Sequence, residues 1–198
     1  MTSGTHTRLG LDSRRRQLVD VGLSLFSERA YDEISIDDIA AAAGISKGLL
    51  YHYFPSKRDF YVGTVRVAAD DLRAVTARDP SLSPLDGLRV GLESYLEYVE
   101  THALGFSTLM RGGVGSDPEV AAIVDETRDV MAARTLDGMP EAVPQTPATH
   151  LLVRGWIGLV EAASLEWLAR REPSREEVCE LLIRTFGSIF AVVMAPHA

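Results

Sequence analysis

The sequence predicts an all-α protein of about nine helices, and three observations carry that prediction. Apolar residues recur at intervals of three and four, the spacing that places them on one face of a helix. Helix-start signals are frequent, with Ser, Thr or Asp followed by Pro or by an acid near the third position. No segment alternates apolar and polar residues for long enough to make a convincing strand.

The first helix is expected from about Ser13 to Arg29, the second over Ile36–Ala43 and a short third over Ser46–Tyr53. A fourth, Lys57–Arg78, carries the stripe Tyr61, Val65, Ala68, Leu72, Val75. Further stripes are Leu88, Leu92, Tyr95, Leu96, Val99, then Val120, Ile123, Val124, Thr127, Val130, Met131. A helix follows over Thr146–Arg170, and the last stripe is Val178, Leu181, Leu182, Phe186, Ile189, Phe190, Val193. Six starts are marked: Ser35–Asp38, Ser56–Asp59, Ser83–Asp86, Asp117–Pro118, Thr146–Pro147 and Ser174–Glu177. At each, a side-chain oxygen can accept an unpaired first-turn amide hydrogen, and an acid there meets the positive end of the helix dipole. Breaks fall at Asp79–Ser83, Arg111–Asp117, Asp137–Thr146 and Arg171–Ser174.

With 198 residues, 46% of them hydrophobic and 24% charged, the composition is that of a soluble globular protein. A chain of this size buries about 70% of its unfolded surface and needs no metal or disulfide to hold it. The single cysteine, Cys179, excludes an internal disulfide and a cysteine-ligated zinc site, and reads as a small buried hydrophobe. Met1–Asp12 is polar and lacks the apolar core of a signal peptide, and no run approaches 18 apolar residues. A cytoplasmic location is expected.

The net charge of −8 by itself disfavours a nucleic-acid partner, but the charge is unevenly distributed along the chain. Residues 1–58 carry eight Lys/Arg against seven Asp/Glu, and the remainder carries 12 against 21. Within Gly44–Arg58 there are three basic residues and no acid. Salt screens charges beyond about 10 Å, so a locally positive segment on an acidic body is compatible with DNA.

That segment has the spacing of a helix-turn-helix: two short helices joined by Ala43-Gly44-Ile45. Gly44 suits the left-handed position at the end of the second helix. Ile36, Ile39, Ala40, Ala43, Ile45 and Leu50 are expected to pack the pair together, with Ala40 small enough for a close crossing. The third helix would span about 12 Å, a fit to the major groove. Its outward residues are Lys47, Gly48, Leu49, Tyr51 and His52. Gly48 leaves room for the backbone to approach a phosphate or base edge, and Leu49 can meet a thymine methyl. Tyr51, His52 and Lys57 carry donors for phosphate oxygens, contacts that position a protein without reading sequence. On spacing alone, a solvated helix with incidental polar groups remains equally open.

The run from Ile34 to Lys57, ISIDDIAAAAGISKGLLYHYFPSK, closely resembles the DNA-binding signature of the TetR family. Leu23, Phe26, Glu28, Arg29 and Tyr31 match the family's first helix and the turn after it, so the resemblance covers about residues 13–62. It implies DNA contacts at Ser35, Lys47, Tyr51, His52 and Lys57, with Leu49 base-facing where many members have Thr. It also implies three parts: a disordered tail over residues 1–12, a helix-turn-helix domain over 13–58, and a ligand-binding and dimerisation domain over 59–198. Arg14–Arg16 and Arg8 are either further phosphate or minor-groove contacts or a solvated basic end.

The family reading implies a homodimer that binds a palindromic double-stranded operator, represses transcription, and is released by a small hydrophobic effector. Gly155, Gly158, Ala162 and Ala163 permit close helix approach, and a dimer interface is expected at Gly155, Gly158, Ala162, Leu182, Phe186, Ile189 and Phe190. Candidate walls of an effector pocket are Leu92, Tyr95, Leu96, Phe106, Met110, Val124, Met131, Trp156 and Val160, all of which plain core packing also accounts for. Gly105–Val120 resembles the stretch found in some actinobacterial members that sense long-chain acyl-CoA, which implies an acyl-CoA or another lipid-like effector. Arg154 and Glu161 are read as an ion pair at an interface, or as polar anchors in a pocket.

An enzyme is the main alternative, and little favours it. His6, His52, His102, His150 and His197 are scattered with no metal-ligand spacing. Arg111-Gly112-Gly113-Val114-Gly115 is Gly-rich but lies between helices, not after a strand. No cofactor or catalytic residue is expected. A protein-interaction module that keeps the helix-turn-helix as scaffold is a second alternative.

Overall fold

The computed structural model describes the backbone of residues 3–111 and 117–194, and the side chains of residues 13–111, 117–189, 191 and 192. Among the described residues there are nine α-helices and no strand. They are α1 (Ser3–Glu28), α2 (Ile36–Ala42), α3 (Lys47–Tyr53), α4 (Lys57–Val75), α5 (Pro84–Thr101), α6 (Ala103–Arg111), α7 (Pro118–Asp137), α8 (Pro147–Arg170) and α9 (Arg175–Met194). A single 3-10 turn, Tyr31–Glu33, follows α1. The all-α expectation holds. None of these helices is long and apolar enough to cross a membrane, and no cluster among the described residues could hold a metal ion.

All six start signals are occupied. The hydroxyls of Ser35, Ser56, Ser83, Thr146 and Ser174 accept the amide three residues on, at 3.1–3.3 Å. The Asp117 carboxylate accepts the amides of Glu119 at 2.9 Å and Val120 at 3.4 Å. The main departure is α1, which begins at Ser3 and not near Ser13. No proline falls between Ser3 and Arg14, so nothing forces the helix to stop, although the segment lacks the apolar stripe that would have announced it.

The helices form two compact units, one of residues up to Asp70 with His102–Ile123, the other of Asp71–Thr101 with residues from Val124 onward. The packing division therefore does not fall at residue 58. In the first unit, Leu18, Val19 and Phe26 of α1 are buried with Ile39, Leu50, Phe54, Phe60, Val65, Val120 and Ile123. The aromatic rings form a chain: Phe26 meets Tyr61 edge-on at 5.0 Å, and Phe54 meets Phe60 at 5.0 Å. Gly22 makes the crossing of α1 and α4 possible, since a Cβ there would lie 2.5 Å from Thr64 Oγ1 and 2.8 Å from the Phe60 ring. Gly105 does the same for α6, whose added Cβ would lie 3.3 Å from the Phe26 carbonyl oxygen. That close approach accounts for α6 joining the unit that contains α1.

In the second unit Leu92, Leu96, Val99, Val153, Trp156, Val160, Val178 and Leu182 are buried. Trp156 packs on Phe186 at 4.6 Å between ring centroids and donates its indole N–H to the Leu182 carbonyl at 3.2 Å. Arg154 and Glu161 do not pair with each other. Arg154 lies 3.3 Å from Asp125 and 3.6 Å from Asp129, and Glu161 accepts from Arg128 at 2.9 Å. Seven residues advance a helix by about 10 Å, beyond direct reach, whereas α7 carries complementary charges alongside.

Candidate DNA interface

The turn between α2 and α3 is built from the backbone outward. Ser35 closes a capping box with Asp38: its hydroxyl accepts the Asp38 amide and donates to the carboxylate at 2.7 Å, while the Ser35 amide donates to the same oxygen at 2.8 Å. These backbone and hydroxyl bonds hold the Asp38 carboxyl below the usual carboxylate range. At the other end Gly44 adopts φ +62°, the Gly44 amide reaches the Ala41 carbonyl at 3.1 Å, and the Ile45 amide reaches that of Ala40 at 3.0 Å. This pair of bonds is the Schellman arrangement, which satisfies carbonyls left open at a helix end. Ser46 caps α3 by accepting the Leu49 amide at 3.2 Å. With both ends capped and Leu50 fully buried, the roll of α3 about its axis is set.

The roll turns outward the residues read as outward from the sequence. Lys47, Gly48 and His52 are exposed, Leu49 is 40% and Tyr51 42% exposed, and nothing lies within 4 Å of a Cβ added at Gly48. The Lys47 ammonium lies 3.0 Å from Asp37, whose hydrogen bond raises the lysine pKa. The Lys57 ammonium stands 4.0 Å from the centroid of the Tyr31 ring, within cation–π range. Ser35 is placed differently from the rest, because its only hydroxyl hydrogen is already committed to Asp38 in the free protein.

Several exposed basic groups of α1 and α4 have partners on the protein surface. Arg15 lies over the Phe54 ring at 4.9 Å and Arg16 pairs with Asp20 at 3.2 Å. Arg15, Arg16 and Arg66 line a groove of about 320 Å³ between α1 and α4, where Asp59, Asp70 and Glu119 balance their charge. Arg8 lies outside the described side chains. The Arg16–Asp20 pair is a one-turn pair within α1, whereas Phe54 under Arg15 and the acids of α4 and α7 come from elsewhere in the chain.

The residues expected to line an effector pocket are divided between the two units. Leu92, Leu96, Trp156 and Val160 are buried in the second unit with Tyr95, Val124 and Met131 partly buried there, whereas Phe106 and Met110 belong to α6 of the first unit. The Tyr95 hydroxyl is enclosed with Ser164, Glu161 and Arg128 near it, and burial pushes its pKa up. A cavity of about 400 Å³ in the second unit, lined by Leu136, Met139, Pro140, Val143 and His150 among others, shares none of the expected residues. Gly112–Gly115 lies outside the described residues.

The residues expected at a dimer surface differ in their exposure. Gly155, Gly158 and Ala162 are exposed on α8, beside Leu151 (72% exposed) and Leu159 (43%). On α9, Leu182 and Phe186 are buried inside the unit and Ile189 is half-buried, while Leu181 is 56% exposed. Trp156 packs on the Phe186 ring and bonds the Leu182 carbonyl, and Leu181, about 100° round the helix from Leu182, is left outside. Phe190 lies outside the described side chains.

A capped pair of short helices joined by a glycine turn, with a polar and aromatic outer face, is a helix-turn-helix, the motif whose second helix enters the major groove of DNA. Two family models match the chain: the tetR family of bacterial regulatory proteins over residues 18–62, and the tetracyclin repressor-like C-terminal domain over residues 84–189. The chain is 31% identical over 170 residues to the transcriptional activator FasR of Mycolicibacterium smegmatis, covering 84% of this chain and 77% of that one. It is 24% identical over 166 residues to the transcriptional repressor KstR of Rhodococcus jostii, covering 82% and 76%. A crystal structure of a tetR-family regulator from Streptomyces coelicolor superposes with a TM-score of 0.84 at 38% identity, covering 92% of this chain and 82% of that one. The chain belongs to the TetR family and is a DNA-binding transcriptional regulator.

Proposed function

We propose that the protein binds a palindromic operator as a homodimer and that a small hydrophobic molecule releases it. The observation that carries this reading is the outer face of α3, where Lys47, Gly48, Leu49, Tyr51 and His52 are exposed while Leu50 is fully buried. One short helix reads few bases, and two related by a two-fold axis read half-sites about 34 Å apart. Lys47, Tyr51, His52 and Lys57 contact phosphates, Gly48 permits close backbone approach and Leu49 faces the bases. Ser35 serves chiefly as the cap of α2, since contact with phosphate requires its hydroxyl to leave Asp38.

The dimer forms through the exposed α8–α9 face, with Gly155, Gly158, Ala162, Leu159 and Leu181 at its centre. Exposed leucines beside residues without bulk allow two helix pairs to pack closely. Leu181→Glu is expected to yield monomers in sedimentation and to abolish binding to a palindrome, while a dimer that persists would place the interface elsewhere. The effector acts by binding two conformations of the protein with different affinity, one of them with α4 shifted. A long-chain acyl-CoA is the first candidate to test, by its effect on thermal stability and on DNA release.

Footprinting on DNA upstream of its own gene tests the reading. Tyr51→Ala is expected to weaken binding about fivefold per half-site, the worth of one hydrogen bond. Undiminished binding by Tyr51→Ala and Lys57→Ala together would overturn the contact assignment, and absence of any binding at low salt the function. Repression is the first expectation; activation is a second reading, favoured by the activator FasR being the relative at 31% identity.

A further inference from the structure

Arg58 stands beside Lys57 at the start of α4, where a basic side chain would ordinarily be assigned to the DNA backbone. Its guanidinium is instead engaged within the first unit. Nε donates to Asp117 Oδ2 at 2.5 Å and Nη2 to Oδ1 at 2.7 Å, a two-pronged pair across 59 residues of sequence. Nη2 also lies 3.4 Å from Glu119, which Arg66 approaches at 3.7 Å. Forked pairing of this kind fixes direction as well as distance, which a lysine ammonium does not.

Asp117 is well suited to be the fixed partner. Its side chain is 14% exposed against 44% for Arg58. Its carboxylate also caps α7, and Val120 and Ile123 within the next two turns are buried in the core of the same unit. On the other side of α4's first turn, Lys57 rests over Tyr31, whose ring packs against Tyr61 at 4.9 Å and Phe26 at 6.2 Å. The turn is thus held by two adjacent cations, each on a partner tied into the core.

We propose that Arg58 and Asp117 are positioning residues for DNA binding: the cap of α7 holds the first turn of α4 so that Lys57 meets the phosphate backbone, and Arg58 itself makes no phosphate contact. This rests on the reading of α3 and the start of α4 as the DNA interface. It assigns Asp117, an acid far from α3 in sequence, a part in DNA affinity.

The test uses the full chain and a duplex that the wild-type protein selects from a random pool, with binding measured across a salt series. Asp117→Ser keeps a capping oxygen and loses the pair, and Arg58→Gln loses the pair from the other side. Each is expected to weaken binding about threefold to tenfold, and the double variant no more than either alone, because both remove one interaction. The dependence of log K on log salt should stay at the wild-type slope in Arg58→Gln, whereas Lys57→Ala should lose about 0.9 for each phosphate contact removed. Arg58→Lys, which keeps charge but not the fork, should recover little of the affinity. Circular dichroism melts serve as the control for folding.

A loss of slope in Arg58→Gln equal to that of Lys57→Ala would overturn the proposal by making Arg58 a direct contact. Unchanged affinity in Asp117→Ser, or additive losses in the double variant, would overturn it as well. If the wild-type protein selects no duplex at all, the DNA reading fails and the proposal with it.

Discussion

Gly22 and Gly48 are both helical glycines, and only their surroundings tell them apart. An alanine at 22 would drive its methyl to 2.5 Å from Thr64 Oγ1 and 2.8 Å from the fully buried Phe60 ring. Overpacking of this kind costs about 1–3 kcal/mol, more than the helix-propensity gain of up to about 1 kcal/mol. Gly22→Ala should therefore lower the urea midpoint. At 48 an alanine methyl meets nothing within 4 Å, so only the propensity gain remains. Gly48→Ala is expected to raise the midpoint slightly and to weaken DNA binding, because the methyl occupies the space through which the backbone approaches. Stronger or unchanged binding in that variant would remove Gly48 from the interface. Neither outcome follows from residue type, since the neighbours of Gly22 lie on another helix.

Helix ends show how much of an element is written locally. Every one of the six start signals read from the sequence is occupied by the side chain named for it, because a cap is made within three residues. The turn after α2 is equally local, and Gly44→Ala tests it cleanly. With φ at +62° and open space around the position, the cost is conformational alone, about 1–2 kcal/mol, and Gly44→Asn should lose less. Equal stability of the alanine variant in denaturant titration would contradict the left-handed turn. Rotational setting is less local. The stripe on α9 contained both Leu181 and Leu182, and the packing of α9 against α5 and α8 decides which of them faces inward.

The whole molecule carries a pH dependence that no single helix reveals. Burial is the largest cause pushing the Cys179 thiol up to about 11, with Glu93 adding to it. Burial likewise pushes Tyr61 and Tyr98 up to about 12. In each case the neutral form is favoured by the fold, while the unfolded chain ionises near the ordinary values of 9.0 and 10.0. The stabilisation is therefore complete below about pH 9 and is lost as pH rises through the folded values. Melting temperature should fall progressively above about pH 9, and in Cys179→Ala the decline should begin nearer pH 10. A flat profile through pH 11 would show that these groups are accessible in the folded chain. Cys179 should also resist thiol reagents at neutral pH, as expected for a buried thiol with little thiolate.

Apart from α6 and the first turns of α1, which lack an apolar stripe, the sequence by itself determined the helices, the six caps, the turn at Gly44 and the outward face of α3. Its signature from Ile34 to Lys57 identified the family. All of these depend on residues within a few positions of one another, where periodicity and backbone geometry act directly. Tertiary structure decided where the charges go. Asp117 takes Arg58, α7 takes both Arg154 and Glu161, and Tyr31 receives Lys57. It also decided which leucine of α9 faces inward, and that α6 packs with α1. Each of those pairings depends on which residues folding brings side by side across tens of positions. Helical period states only that a side chain shares a face, not what that face will meet.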